Sequence, residues 1–303
     1  MNFLSKLLLL LFLLFPFSQV QASCPTAKIH VEPQVSPKFY RIVNGKKQGV
    51  RYSLKSSILQ LKYPGAEKLL CETLPKPKKA LFLLVDQTLS YNEEFIEEVK
   101  SKVLPWLKPG RFVEIIVFSS NSGGKYTKPV LKLLMDPEIP EDKLIIKYIF
   151  AYQRFHSEIL NAQRMTVEIY LKKAMEEGDP SIPKSNIVET LKRVSSYVKE
   201  FPAEEKTVLI VSDMLQNSDV TSFYYRNGVR LINPTKELKK VEDAGLVGDF
   251  GEARIFVIGL GYLNGKKYLG KKLINLKKFW KAYFEKSNGR VVEIGTPFLL
   301  RDL

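Results

Sequence analysis

The sequence predicts an α/β protein built on a doubly wound, mostly parallel sheet, with a small β-rich extension ahead of it. Three observations carry this. Two continuous apolar runs, ALFLLVD (80–86) and KTVLIVSD (206–213), each end in an aspartate. Runs of that kind read as strands covered on both faces. Around them strands alternate with segments of helical period, which implies parallel strands joined by helical crossovers. A hydrophobic fraction of 45% over 303 residues supplies a core of the size this needs and excludes a disordered chain.

The N-terminus stands apart from that core. MNFLSK, a leucine-rich run and SQVQAS have the three-part order of a secretory signal peptide, with Val20-Gln21-Ala22 suited to cleavage. Residues 1–22 are therefore assigned to a leader, and the protein is expected to be exported, periplasmic or secreted. An uncleaved anchor is the alternative, but the run is short for a bilayer span and is interrupted by Pro16. A lipoprotein modified at Cys24 is the weaker alternative, since Gln21 stands where an aliphatic residue is usual. Export gives meaning to Cys24 and Cys71, the only two cysteines, because an oxidising compartment favours pairing them. The bridge would close a loop of roughly 50 residues, for which chain entropy predicts about 4 kcal/mol. Two unrelated thiols are the other reading.

Residues 23–77 form the extension. AKIHV, FYRIV and SILQLKY read as short β-runs, Asn44-Gly45 between apolar runs signals a hairpin, and LPKPKK is a linker. Residues 78–303 form the main domain. Residues 80–86 are its first strand, and EEFIEEVKSKVLPWL (93–107) a helix with acids early and lysines late. RFVEIIVFSS (111–120) is a strand, Asn121 to Gly124 a turn, and KPVLKLLMD (128–136) a third strand that would run antiparallel. Residues 141–178 make one long helix or two stacked ones, and 185–201 another helix. The strand at 206–213 follows, then ARIFVIGLGY (253–262), the basic helix beginning KKLINLKKFW, and RVVEIG (290–295) as a last strand.

In open sheets of this type, sites form beyond the carboxyl ends of the strands. Asp86, Thr88 and Ser90 alternate just past the first strand, Ser185 opens a helix, and Asp213 ends a second buried strand. Two carboxylates and several hydroxyls, with no histidine or cysteine among them, suit a hard cation: Mg²⁺, Mn²⁺ or Ca²⁺. The plainer reading is helix capping, with Asp86 and Ser185 accepting backbone N–H bonds at helix starts.

The Asp86-x-Thr88-x-Ser90 loop, the SNIVETL segment and the VLIVSD strand, in this order, resemble the von Willebrand factor A (integrin I-like) family and its exported bacterial members. The resemblance covers residues 79–295 and implies a Rossmann-like fold with a metal-ion-dependent adhesion site. By it, Asp86, Thr88, Ser90, Ser185 and Asp213 would hold the metal, Thr88 and Ser185 being exchanged hydroxyl types. Where the family commonly has Gly after the last Asp, this chain has Met214. The resemblance implies a non-enzymatic module whose metal engages a carboxylate of an acidic protein partner. The alternative is a structural or assembly protein of the cell envelope with a vestigial metal site.

Lys and Arg total 47 against 32 Asp and Glu, a formal charge of +15. In an exported protein that excess points to anionic lipid or an acidic partner, and nucleic acid is not an expected partner. The lysine-rich stretch 265–284 would touch an anionic membrane surface, or else pack its aromatic residues on the sheet with its lysines in water. A hydrolytic triad is not expected, because His30 and His156 lie outside the constellation. Asn121 to Lys125 lacks the order of a phosphate loop.

Overall fold

The structure is a computed structural model. It describes residues 24–29, 39–43, 46–50, 54–119, 127–182, 185–225, 228–263, 266–267 and 270–303. The leader expected at residues 1–22 and the turns at Asn44-Gly45 and 121–124 lie outside the described residues.

A short helix α1 (Pro25–Lys28) follows Cys24. Strands β1 (Phe39–Val43) and β2 (Lys46–Val50) pair antiparallel, with Val43 opposite Lys46, as the Asn-Gly signal predicts. The β-content of the extension goes no further among the described residues. SILQLKY, read as a strand, instead contains helix α2 (Ser57–Gln60), and α3 (Ala66–Thr73) comes next. Tertiary contacts override local preference here. The Ser57 N–H donates to Asp136 Oδ1 at 2.9 Å, and Ile58 is buried with Leu69, Leu70 and Tyr152. Cys24 and Cys71 form a disulfide, which ties α1 to α3 and takes up the thiol that a lipoprotein would modify.

The main sheet contains β3 (Lys79–Asp86), β4 (Arg111–Phe118), β5 (Thr127–Leu134), β6 (Glu205–Val211), β9 (Arg254–Ile258) and β12 (Arg290–Ile294). Their order across the sheet is β12-β9-β6-β3-β4-β5. All neighbours are parallel except β5, which runs antiparallel on β4. The small pairs β7 (Tyr224–Tyr225) with β8 (Gly228–Val229), and β10 (Tyr262–Leu263) with β11 (Lys266–Lys267), lie outside it.

The apolar runs serve two cores. Ala80, Phe82 and Leu84 enter one, packed by helices α6 (Ile187–Glu200), α7 (Pro234–Asp243) and α8 (Lys271–Lys286). Leu81, Leu83 and Val85 enter the other, under α4 (Glu93–Val103) and α5 (Ile146–Glu176). Strand side chains alternate between faces, so a strand covered on both sides must be apolar throughout. Pro105 ends α4 sooner than the periodicity suggested, because the chain tightens into a 3₁₀ turn at Leu104–Trp106. In α8 the Phe279, Trp280, Tyr283 and Phe284 side chains are fully buried, and Trp280 Nε1 donates to Met214 O. Lys277, Lys278 and Lys281 stay in solvent, so this helix offers a membrane its lysines and none of those aromatic rings.

The long segment 141–178 resolves into one helix, α5, of 31 residues. Gln163 on it is completely buried. Its Oε1 accepts from Asp136 N at 2.7 Å, and its Nε2 donates to Leu54 O and Leu134 O. One amide thus joins the extension, the end of β5 and α5. Gln163→Ala orphans three buried backbone groups, and denaturant unfolding is expected to show a loss of about 3 kcal/mol.

Candidate functional site

The two predicted aspartates meet at the middle of the sheet. β3 and β6 are neighbours, and the chain runs from β3 outward to β4 and β5 before returning to β6 on the other side. This reversal opens a crevice past the strand ends, where open α/β sheets place their sites. Asp86 is the last residue of β3, and Asp213 lies two residues beyond β6. Both are buried, at 0% and 2% exposure.

Asp86 is held on both carboxylate oxygens. Oδ1 accepts from Thr88 N at 3.0 Å and Thr88 Oγ1 at 2.7 Å. Oδ2 accepts from Ser212 Oγ at 2.7 Å and from Ser185 Oγ at 3.3 Å. The alternate spacing of Asp86 and Thr88 thus makes a tight loop in which hydroxyl and amide both turn back to the carboxylate. The Tyr91 hydroxyl lies 2.8 Å from Asp86 O and 2.9 Å from Val211 O, bridging the two strand ends beneath the loop. α5 closes on the loop from the side, where Asp179 N donates to Gln87 O at 2.8 Å. A Cβ at Gly178 would stand 1.9 Å from Leu89 O, so only glycine permits that approach.

Capping does not account for Asp86. The helix that follows, α4, is capped by Asn92, whose side chain accepts from Phe95 N at 2.9 Å. Ser185 also points to Asp86, and the first turn of α6 is served by Gln216, whose Oε1 accepts from Val188 N.

Asp213 is different. Its Oδ1 accepts from Leu215 N at 2.9 Å, while Oδ2 is buried and has no hydrogen-bond partner among the described residues. Burial pushes its carboxyl well above the usual carboxylate range, and the charge of nearby Asp86 pushes it further. Burial also raises Asp86, against the pull of its four hydrogen bonds. Among the described residues no lysine or arginine acts on either. Two neighbouring buried carboxylates with no counter-charge among the described residues cost several kcal/mol unless a cation or proton joins them. An unpartnered oxygen beside hydroxyls is the donor set a hard divalent cation takes, so the residues fit the metal their pattern implies.

Four of the five predicted residues come together: Asp86, Thr88, Ser185 and Asp213. Ser90 is exposed and makes no hydrogen bond to this cluster. Ser212 and Gln216 belong to it as well. Ser212 was visible in the sequence as a lone hydroxyl ending an apolar strand, whereas Gln216 left no signal there. Among the described residues no three His, Cys, Asp or Glu side chains gather as a metal group. Two carboxylates with hydroxyls are all this site offers. Met214 takes φ +61°, a left-handed conformation that glycine adopts freely. The chain retains the backbone turn expected after Asp213 and makes it with a buried methionine. Gly259 lets the neighbouring strand end approach, since a Cβ there would lie 2.8 Å from Ser212 O.

No family model matches the sequence, and neither does any curated protein. Among solved structures the chain is similar to an aerotolerance-related membrane protein from Bacteroides fragilis NCTC 9343, at 10% identity and TM-score 0.34 over 71% of this chain and 91% of that one. It is similar to BatB from Bacteroides thetaiotaomicron at 9% identity and TM-score 0.34, over 72% and 90%. The N-terminal domain of TFIIH p34 gives 11% identity and TM-score 0.31, over 74% and 94%. Likeness this distant carries no weight for function. By its strand order the chain has an open, mostly parallel, Rossmann-like α/β fold, with Asp86 and Asp213 at the crest of the sheet.

Proposed function

We propose that the protein is a non-enzymatic binding module that uses a divalent cation, Mg²⁺ first, to engage a carboxylate of an acidic protein partner. The observation that carries this reading is Asp213 Oδ2, a buried carboxylate oxygen with no partner among the described residues, beside the buried Asp86. Asp86, Thr88, Ser185 and Asp213 would hold the ion, with Ser90 brought in from the exposed part of its loop. Bound there, the cation supplies positive charge and an open coordination position for an incoming carboxylate. The protein's own part is to keep the two aspartates dry and orient their oxygens, which Tyr91, Ser212 and Gly178 accomplish from behind.

Titration of the full chain with Mg²⁺ and with Mn²⁺ tests this. Binding heat is expected, weaker as pH falls, because both carboxyls must shed protons held above their ordinary range. Asp86→Ala abolishes the heat. Heat that is absent at pH 8, or unaltered by that substitution, sinks the reading.

One observation favours a second reading. Both oxygens of Asp86 already carry two hydrogen bonds each, a self-satisfied arrangement suited to a vestigial site in a structural protein of the cell envelope. Binding to the partner that survives a chelator would select it.

A further inference from the structure

Among the described residues the most exposed group of large apolar side chains lies at one helix start, with a lesser pair, Met165 and Ile169, further along the same helix. Ile145 is 47% exposed, Ile146 81% and Phe150 83%, and all three sit at the start of α5. A cluster of this kind marks an interaction surface.

Its place in the fold is distinctive. α5 has 31 residues and so spans about 46 Å, whereas β3 with eight residues spans about 26 Å. The far end of α5 is fixed at the crest, where Gln87 Nε2 donates to Ala174 O and Asp179 N to Gln87 O. Leu160, Val167, Leu171 and Met175 pack on the sheet. The first turns therefore run beyond the sheet's opposite edge. One side of that overhang is covered by the extension: Tyr148, Ile149 and Tyr152 pack with Ile58, Leu69 and Leu70. Ile146 and Phe150 lie on the side that no described residue covers.

We infer that this tip is a membrane-contact site, and that its occupant is the interface of a phospholipid bilayer bearing anionic lipid. Two further features select that occupant. The 23 residues that precede the described chain include its leucine-rich run, and they join it at Cys24. The disulfide to Cys71 fixes that point on α3, and α3 packs against the start of α5. The chain thus enters the fold through the same layer that supports the apolar tip, opposite the crest. The second feature is charge: the protein carries +15, and exposed Lys62, Lys143 and Lys147 lie around the tip among the exposed acids Glu138, Glu141 and Asp142. Among the described residues no helix is long and apolar enough to cross a membrane, and a tip of three apolar side chains reaches the interface of a bilayer. This reading is independent of the metal site. It places that site at the far end of α5, turned away from the lipid toward a partner.

A tryptophan at position 150 tests it, because native Trp106 and Trp280 are 4% and 0% exposed. The full chain carrying Phe150→Trp is mixed with vesicles of phosphatidylcholine and phosphatidylglycerol, with and without brominated acyl chains. Brominated lipid is expected to quench the new emission at least twofold and vesicles to shield it from iodide, whether or not the leader has been removed. Ile274→Trp, 54% exposed on α8, stays unquenched by lipid. The double variant Ile146→Glu, Phe150→Glu, taken from leader-cleaved protein of unchanged circular dichroism, is expected to lose about tenfold or more in vesicle partitioning. An indole at 150 that remains open to iodide and blind to brominated lipid overturns the proposal. So does partitioning indifferent to the glutamates, and a protein would then be the partner covering the tip.

Discussion

Asp213→Asn is expected to make the metal-free protein more stable and to erase its response to Mg²⁺. The substitution keeps the shape and the bond from Leu215 N while removing a buried charge that faces Asp86. Both carboxyls are raised from 3.8. In the metal-free protein their folded form therefore keeps protons that the unfolded chain has already released. Stability from this source is fully present below the ordinary carboxylate range and is lost as pH rises through the folded-state values. The loss at pH 7 is bounded by the cost of simply taking up a proton, about 1.4 kcal/mol per pH unit above 3.8. A gain of roughly 1–3 kcal/mol at pH 7–8 is the expected size, or about 3–10 °C in a domain of this length. Differential scanning fluorimetry between pH 4 and pH 8, with EDTA and then with Mg²⁺, reads all of it. The parent should weaken with rising pH and be rescued by Mg²⁺, while the variant weakens less, through Asp86 alone, and does not respond to Mg²⁺. A variant less stable than the parent at pH 8 in EDTA would contradict the electrostatic account of the site.

Cys71→Ser is expected to cost about 4 kcal/mol, because the bridge to Cys24 spans 47 residues and its loss returns that loop's freedom to the unfolded chain. The effect should concentrate where α1, α3 and the start of α5 meet, leaving the sheet's own hydrogen bonds protected from exchange longest. Parent protein treated with reductant should match the variant in its denaturant midpoint. Midpoints unchanged by both treatments would show that the extension contributes nothing to global unfolding.

Much of this was legible in the sequence. Strands covered on both faces have no polar positions to confuse their period, so β3, β4 and β6 stand within a residue or two of their predicted bounds. The antiparallel sense of β5 was also correctly anticipated. SILQLKY misled because seven residues are too few to fix a period, and burial of Ile58 and the Asp136 bond decide its conformation. α7 went unremarked: PTKELKKVED has only Leu238 and Val241 as apolar residues facing inward. At the site, Asp86 and Asp213 declared themselves by ending apolar strands. Ser212 showed only as a hydroxyl ending an apolar strand, while its bond to Asp86 and that of Gln216 to Val188 cross 126 and 28 residues, which no local pattern encodes.

The antiparallel strand β5 closes one side of the main sheet, and an unpaired strand there is a template on which another chain can add itself. Its sequence answers that hazard. Pro129 supplies no N–H, Lys128 and Lys132 set charge along it, and the pairing with β4 slips between Ile115 and Ile116. Such a guarded border discourages growth into fibrils while leaving the crest of the sheet open.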